Sequence, residues 1–160
     1  MFQQLQHVLN NEPPPTVVVG EVPSRLTAGR TRRVLVVDDH LVFRLAASVL
    51  LEPLAAVEMA ENGRIAIDLA LAARFDAVLM DIQMPVLDGL SAVREIRRQE
   101  ALLGLPATPI IMFTSHSGRD AEYASFAAGA DFHLAKPSPE GTLIAAVVEA
   151  FRLKDARQEA

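Results

Sequence analysis

The sequence predicts an α/β fold: a five-stranded parallel sheet, doubly wound by helices as a (βα)5 unit. Three observations predict it. Five short apolar runs recur from residue 34 onward, each followed by a stretch with helical spacing. The runs are apolar throughout rather than alternating, as strands covered on both faces are. The chain has 160 residues, of which 51% are hydrophobic, enough for one domain of ordinary size with a core of its own.

The elements follow in order. Phe2, Leu5, Val8 and Leu9 have helical spacing, and Pro13-Pro14-Pro15 then forces an extended stretch. Thr16-Val17-Val18-Val19 is β-branched and could join a sheet edge, and residues 20–33 read as a linker. Val34 to Val37 is the first buried strand and stops at Asp38-Asp39. His40 to Leu51 is the first helix, with Leu41, Leu45, Val49 and Leu50 expected on its packing face. Val57 to Ala60 is a weak second strand, closed by the turn Glu61-Asn62-Gly63. Ile65, Ala66 and Leu69 place a second helix that ends before Arg74.

Ala77 to Met80 is the third strand and stops at Asp81; Pro85 and Asp88-Gly89 then break the chain before a helix carrying Leu90, Val93 and Ile96. Pro109 to Phe113 is the fourth strand, ending at Thr114-Ser115, and Asp120 to Ala128 is an alanine-rich helix closed by Gly129. Phe132 to Ala135 is the fifth strand, ending at Lys136-Pro137. Ser138 followed by Pro139 starts the last helix, which buries Leu143, Val147 and Phe151.

Composition excludes several function classes. There is no cysteine, hence no disulfide scaffold, thiol nucleophile or thiolate metal site. No apolar stretch reaches the ~18 residues of a membrane span, and Phe2-Gln3-Gln4 is no secretory leader, so a cytoplasmic protein without a membrane partner is expected. Residues 1–33 carry four arginines against two glutamates, a net +2, whereas the remainder carries eleven basic and eighteen acidic side chains, a net −7. An acidic body argues against nucleic acid as a partner, and Arg30-Thr31-Arg32-Arg33 reads as a solvated linker. Lys136 and Lys154 are the two lysines, and neither stands in a G-x-x-x-x-G-K frame.

In an open parallel sheet, functional groups gather beyond the carboxyl ends of the strands. Asp38 and Asp39, Asp81, Thr114 with Ser115, and Lys136 occupy four of those ends. One acid after a strand is commonly a helix N-cap, and Asp39 could serve Leu41 and Val42 in that way; four such ends together favour a site. Two carboxylates ~5 Å apart repel by about 3 kcal/mol at an effective dielectric near 20. Three therefore need a cation or raised pKa values. Oxygen ligands with room for water and phosphate suit Mg²⁺. A metal, a lysine and a hydroxyl around one aspartate suit the transfer of phosphate onto that aspartate.

Val34-Leu35-Val36-Val37-Asp38-Asp39-His40, then Met80-Asp81-Ile82-Gln83-Met84-Pro85-Val86-Leu87-Asp88-Gly89, then Thr114-Ser115 and Lys136-Pro137 resemble the receiver domain of two-component response regulators, notably the single-domain chemotaxis type. The resemblance covers residues 34–153, leaving 1–33 as an N-terminal arm and 154–160 as a C-terminal tail. It implies a flavodoxin-like strand order 2-1-3-4-5. It also implies that Asp81 accepts a phosphoryl group from a phosphohistidine on a sensor histidine kinase or a histidine phosphotransfer protein. Mg²⁺ would be held by Asp38, Asp39, Asp81 and the Gln83 backbone carbonyl. Lys136, Thr114 and Ser115 would bind the phosphoryl oxygens.

By the same resemblance, Thr114 and His133 form the switch, and Phe132 packs the other way. His133 departs from the Tyr or Phe usual there; it rotates as they do, or it makes the switch pH-sensitive. Gln83 and His116 flank the site and tune the lifetime of the acyl phosphate. The fourth helix, fifth strand and fifth helix would signal to a downstream protein target or form a homodimer, with docking of the arm on another protomer a second route to one. No DNA-binding output domain fits in the remaining residues.

The chain reads as a stand-alone phosphoacceptor rather than an enzyme; a receiver excised from a hybrid histidine kinase is the alternative. An aspartyl-nucleophile phosphatase of the haloacid dehalogenase type would want a D-x-D pair where Asp38-Asp39-His40 stands. A scaffold with dispensable phosphorylation fits poorly with the presence of Asp38, Asp39, Asp81, Thr114 and Lys136 together.

Overall fold

The computed structural model describes residues 30–116 and 118–160; the expected helix and extended segments of the arm lie outside them. Five parallel strands, β1 (Arg33–Val37), β2 (Ala56–Ala60), β3 (Ala77–Met80), β4 (Ile110–Thr114) and β5 (Phe132–Ala135), form one sheet in the order β2-β1-β3-β4-β5. That is the 2-1-3-4-5 order the resemblance implied. Helices α1 (Leu41–Leu51), α2 (Gly63–Ala72), α3 (Gly89–Leu102), α4 (Arg119–Ala128) and α5 (Glu140–Glu159) follow the strands in turn. No helix among the described residues is long and apolar enough to cross a membrane.

Side-chain alternation on β1 explains why its sequence is apolar without interruption. Leu35 and Val37 face a layer with Ala66 and Ile67 of α2 and Val93 and Ile96 of α3. Val34 and Val36 face the opposite layer, with Ala47 and Leu51 of α1 and Leu143, Val147 and Phe151 of α5. Each such side chain removed from water contributes about 1.5–3 kcal/mol, so both faces of the central strands stabilise the sheet.

Local signals fix the helix starts. The Asn62 side chain accepts the Ile65 N–H at 3.0 Å, and Asp88 caps α3 through the Ser91 N–H at 2.9 Å. Gly129 ends α4 with a left-handed φ of 112°, a conformation that favours glycine.

Four expectations are corrected. The face of α1 expected to pack is largely solvent-exposed: Leu41 and Leu45 lie open and Val49 is 70% exposed, while Ala47 and Leu51 are buried instead. Arg32 and Arg33 are not linker. Arg33 opens β1, and Arg32 donates to both carboxylate oxygens of Asp155 at 2.8 and 2.7 Å with its guanidinium over the Phe151 ring. The segment read as a tail from Lys154 is helical to Glu159, with Lys154 fully buried and Arg157 bonded to Asp131 at 2.5 Å. Ser138 does not cap α5: its hydroxyl donates to the Ala135 carbonyl, and Pro139 takes the cap position.

Candidate functional site

The sheet delivers its chemistry to one rim. Asp38, just past β1, is 4% exposed and tethered on every side. Its Oδ1 accepts the His40 N–H at 2.8 Å, its carbonyl accepts from Arg44 at 2.6 Å, and its Oδ2 pairs with the Lys136 ammonium. Asp39 follows, with no side-chain cap on α1; its Oδ1 is buried and receives no hydrogen bond, although His40 Nδ1 stands 3.1 Å away. Asp81, just past β3, is 6% exposed, and its amide donates to the Val37 carbonyl at 3.0 Å, locking it beside β1. Its Oδ1 accepts the Ile82 N–H at 2.8 Å, and its Oδ2 lies 4.0 Å from Lys136 Nζ.

The loop after Asp81 explains the spacing of Pro85, Asp88 and Gly89. Leu87 N–H donates to the Pro85 carbonyl at 2.8 Å around Val86, whose φ of 70° is strained for a β-branched residue. The chain then returns so closely that a Cβ on Gly89 would stand 1.8 Å from the Asp81 carbonyl oxygen. Only glycine fits there. Asp88 is thus a structural cap that seats α3 beneath the loop.

From the other side come β4 and β5. Thr114 is fully buried, and its Oγ1 accepts the His116 N–H at 3.2 Å. The Thr114 hydroxyl also opposes the rise in the pKa of the Asp81 carboxyl, the smallest of the influences on it. Asp39, Asp81, Gln83 and Ser115 line an open cleft of about 450 Å³ above these groups. His116, the residue after Ser115, is solvent-exposed and is not part of that lining.

His133 sits apart from this cluster. Its Nδ1 lies 2.9 Å from Oγ of Ser125 on α4, whereas Phe132 packs on the α1–α5 side of the sheet. Three residues of the neighbourhood escaped sequence reading. Phe43 of α1 and Phe113 of β4 flank the Lys136 ammonium, and Arg44 holds the Asp38 carbonyl. The one signal available was Arg44 itself, a charge inside an otherwise apolar helix.

Electrostatics marks Asp81 as the unusual group. Burial pushes its carboxyl above the ordinary carboxylate range; Lys136 pulls it back, Asp38 pushes it up again, and the Ile82 amide and Thr114 hydroxyl oppose that rise. A carboxylate so placed seeks positive charge. Among the described residues, Asp38, Asp39 and His40 form the one group whose potential ligand atoms all lie within 4.8 Å of one another. The unsatisfied Asp39 Oδ1 and the preponderance of carboxylate oxygens fit a hard divalent cation such as Mg²⁺.

With this geometry in place, known proteins are informative. The family model of the response regulator receiver domain matches residues 34–148. The chain belongs to the receiver domain family. Within that family it is similar to the sensor protein GacS of Pseudomonas syringae pv. syringae, 34% identical over 148 residues. That match covers 92% of this chain but 16% of the sensor protein, so the chain spans about a sixth of that relative. Among solved structures, the chemotaxis protein CheY4 of Vibrio cholerae has a TM-score of 0.69 at 33% identity, covering 76% of this chain and 99% of that one. The receiver domain of a sensor histidine kinase from Pseudomonas aeruginosa PAO1, solved with a magnesium ion coordinated in its active-site cleft, has a TM-score of 0.67 at 32% identity. It covers 76% of this chain and 98% of that domain. This receiver is a signalling domain.

Proposed function

We propose that this receiver accepts a phosphoryl group on Asp81 from a phosphohistidine and signals through protein contacts. The observation that carries the reading is the buried, upward-shifted Asp81 carboxyl beside a Lys136 ammonium that is itself bonded to Asp38. An Asp81 carboxylate oxygen attacks phosphorus in line with the leaving nitrogen. A P–O bond forms, the P–N bond breaks, and its electron pair stays on the donor's imidazole. The product is an acyl phosphate.

The chain's own groups prepare that step. Asp38, held by His40, Arg44 and Lys136, fixes the ammonium near the carboxylate, so the phosphoryl oxygens arrive at a charge already in place. The Thr114 hydroxyl and the Ser115 N–H supply donors for those oxygens. Asp38, Asp39, Asp81 and the Gln83 carbonyl would hold Mg²⁺, which when bound neutralises the carboxylates and the transferred phosphoryl charge. Gln83, which lines the cleft, and the exposed His116, next in sequence to the lining residue Ser115, control the approach of water and so the lifetime of the product.

The donor, a sensor histidine kinase or a histidine phosphotransfer protein, must dock within reach of Asp81. The uncovered apolar residues Leu41, Val42, Leu45 and Val49 of α1 give it an adjacent surface. Once phosphorylated, Thr114 draws toward the phosphoryl group and His133 changes its place against α4. The α4–β5–α5 face then contacts a downstream protein or a second copy. The similarity to sensor proteins favours one further reading of context, a receiver module within a hybrid kinase. In either context the test is the same. Incubation with Mg²⁺ and acetyl or carbamoyl phosphate adds one phosphoryl group to the protein and none to Asp81→Asn; equal labelling of the two would overturn the proposal.

A further inference from the structure

We propose that Phe43 and Phe113 are positioning residues for Lys136, clamping its ammonium between two aromatic faces so that it stays aimed at the site; the idea rests on the phosphoacceptor reading. Lys136 Nζ lies 4.5 Å from the centroid of the Phe43 ring and 5.4 Å from that of Phe113. The Lys136 side chain is 7% exposed, so water does little to solvate a charge carrying three N–H donors. Asp38 takes one of those donors. The two ring faces, drawn to the cation by their quadrupoles, stand where solvent would otherwise be.

The clamp is built from three separate elements: α1 supplies Phe43, β4 supplies Phe113 beside Thr114, and the end of β5 supplies Lys136. The Phe43 ring is itself oriented, with the His40 imidazole against it at 6.0 Å and an interplanar angle of 84°. Phe43 and Phe113 also both line the narrow gap against Asp38 and Asp81, and both line the groove running out past Pro137 to Glu140. Lys136 lines that groove beside the two rings, so they cover its ammonium at the point where the groove meets the site.

An aromatic face suits this task better than another acid would. A lysine is a point charge on a flexible four-carbon stem, and it needs something to hold it. A second carboxylate would hold it but cancel the charge that the phosphoryl oxygens require. A ring attracts the ammonium without accepting its protons outright, so they remain available to an arriving phosphoryl group. Removing the ring leaves the ammonium, still bonded to Asp38, to turn its remaining donors toward water.

The test compares wild type with Phe43→Leu, Phe43→Tyr and a fluorinated phenylalanine at position 43, which keeps the shape but weakens the negative face. The first readout is the initial rate of acyl phosphate formation from acetyl phosphate at saturating Mg²⁺. The second is the upfield ring-current displacement of the Lys136 side-chain protons by NMR. Phe43→Leu should slow formation about tenfold, equivalent to about 1.4 kcal/mol, and abolish the displacement. The fluorinated ring should slow it in step with its weakened face, and Phe43→Tyr should restore it. Wild-type rates in both Phe43→Leu and the fluorinated protein, or Lys136 protons undisplaced in the wild type, would overturn the clamp. A wild type that takes up no phosphoryl group would instead overturn the phosphoacceptor reading, and the NMR displacement would still decide the clamp.

Discussion

Replacing Asp81 by asparagine should make the protein more stable at neutral pH, although it removes the group on which the proposed activity depends. The carboxyl is buried, and its pKa is raised chiefly by that burial. A group whose folded pKa lies above its unfolded value contributes stability below the unfolded value and loses it as pH rises through the folded one. At pH 7 the wild type has therefore lost that contribution, and Asp81→Asn has nothing to lose.

Lys136 limits the gain. At 4.0 Å and an effective dielectric near 20, Coulomb's law gives roughly 4 kcal/mol of attraction, an upper bound here because the same ammonium is bonded to Asp38. Since the pKa still rises, burial and Asp38 outweigh what Lys136 returns. A gain of about 0.5–2 kcal/mol is the scale for relieving such a site. In a chain of this length that raises Tm by about 2–4 °C per kcal/mol. Urea unfolding of both proteins, without added metal, between pH 3.5 and 8 measures it. The difference should be present at pH 7 and shrink as pH falls toward the ordinary carboxylate value of about 3.8. Saturating Mg²⁺ should shrink it too, by stabilising the wild type more than the variant. An Asp81→Asn protein no more stable than wild type at pH 7 without metal would refute the reasoning.

Gly89→Ala places a methyl group where the Asp81 carbonyl oxygen already stands, at 1.8 Å, so the loop must move. Phosphoryl uptake from acetyl phosphate should fall about 100-fold or more, the cost of displacing a reacting group by about 1 Å. Arg32→Ala removes a two-pronged bond to Asp155 and the contact with Phe151. Its urea midpoint should drop by the equivalent of about 2 kcal/mol with the slope unchanged. Ser125 Oγ donates its single proton to the Ala121 carbonyl at 2.8 Å, so the His133 nitrogen facing it must carry the hydrogen. Nitrogen-15 NMR should accordingly find Nδ1 of neutral His133 protonated in wild type and that preference lost in Ser125→Ala.

Much of the fold was legible because its signals are local. Uninterrupted apolar runs such as Val34 to Val37 give strands buried on both faces, and Asp88-Gly89 announces a cap and a close turn. The packing face of α1 was not legible. Leu41, Val42, Phe43, Leu45, Val49, Leu50 and Leu51 surround that helix with apolar side chains, so no polar stripe sets its phase. The sheet makes the choice, and it buries Ala47 and Leu51.

Long-range pairing hid the rest. Arg32 meets Asp155 across 123 positions of sequence, and nothing near Arg30-Thr31-Arg32-Arg33 foretells it. The last helix runs past Leu153 because no glycine or proline stops it and Lys154 still faces the interior. At the rim, Asp38, Asp39, Asp81, Thr114 and Lys136 stood out as the polar residues that end apolar strands. Phe43 and Phe113 did not, since an aromatic side chain in a helix or strand reads as core until its neighbour is seen to be a cation.

The most direct test of the account is reductive trapping. The protein is treated with acetyl phosphate and Mg²⁺, reduced with borohydride and digested, and the peptide spanning Asp81 is sequenced by mass spectrometry. Conversion of residue 81, and of no other carboxylate, to homoserine is the predicted result; homoserine at Asp38 or Asp39, or an unaltered residue 81, would contradict it.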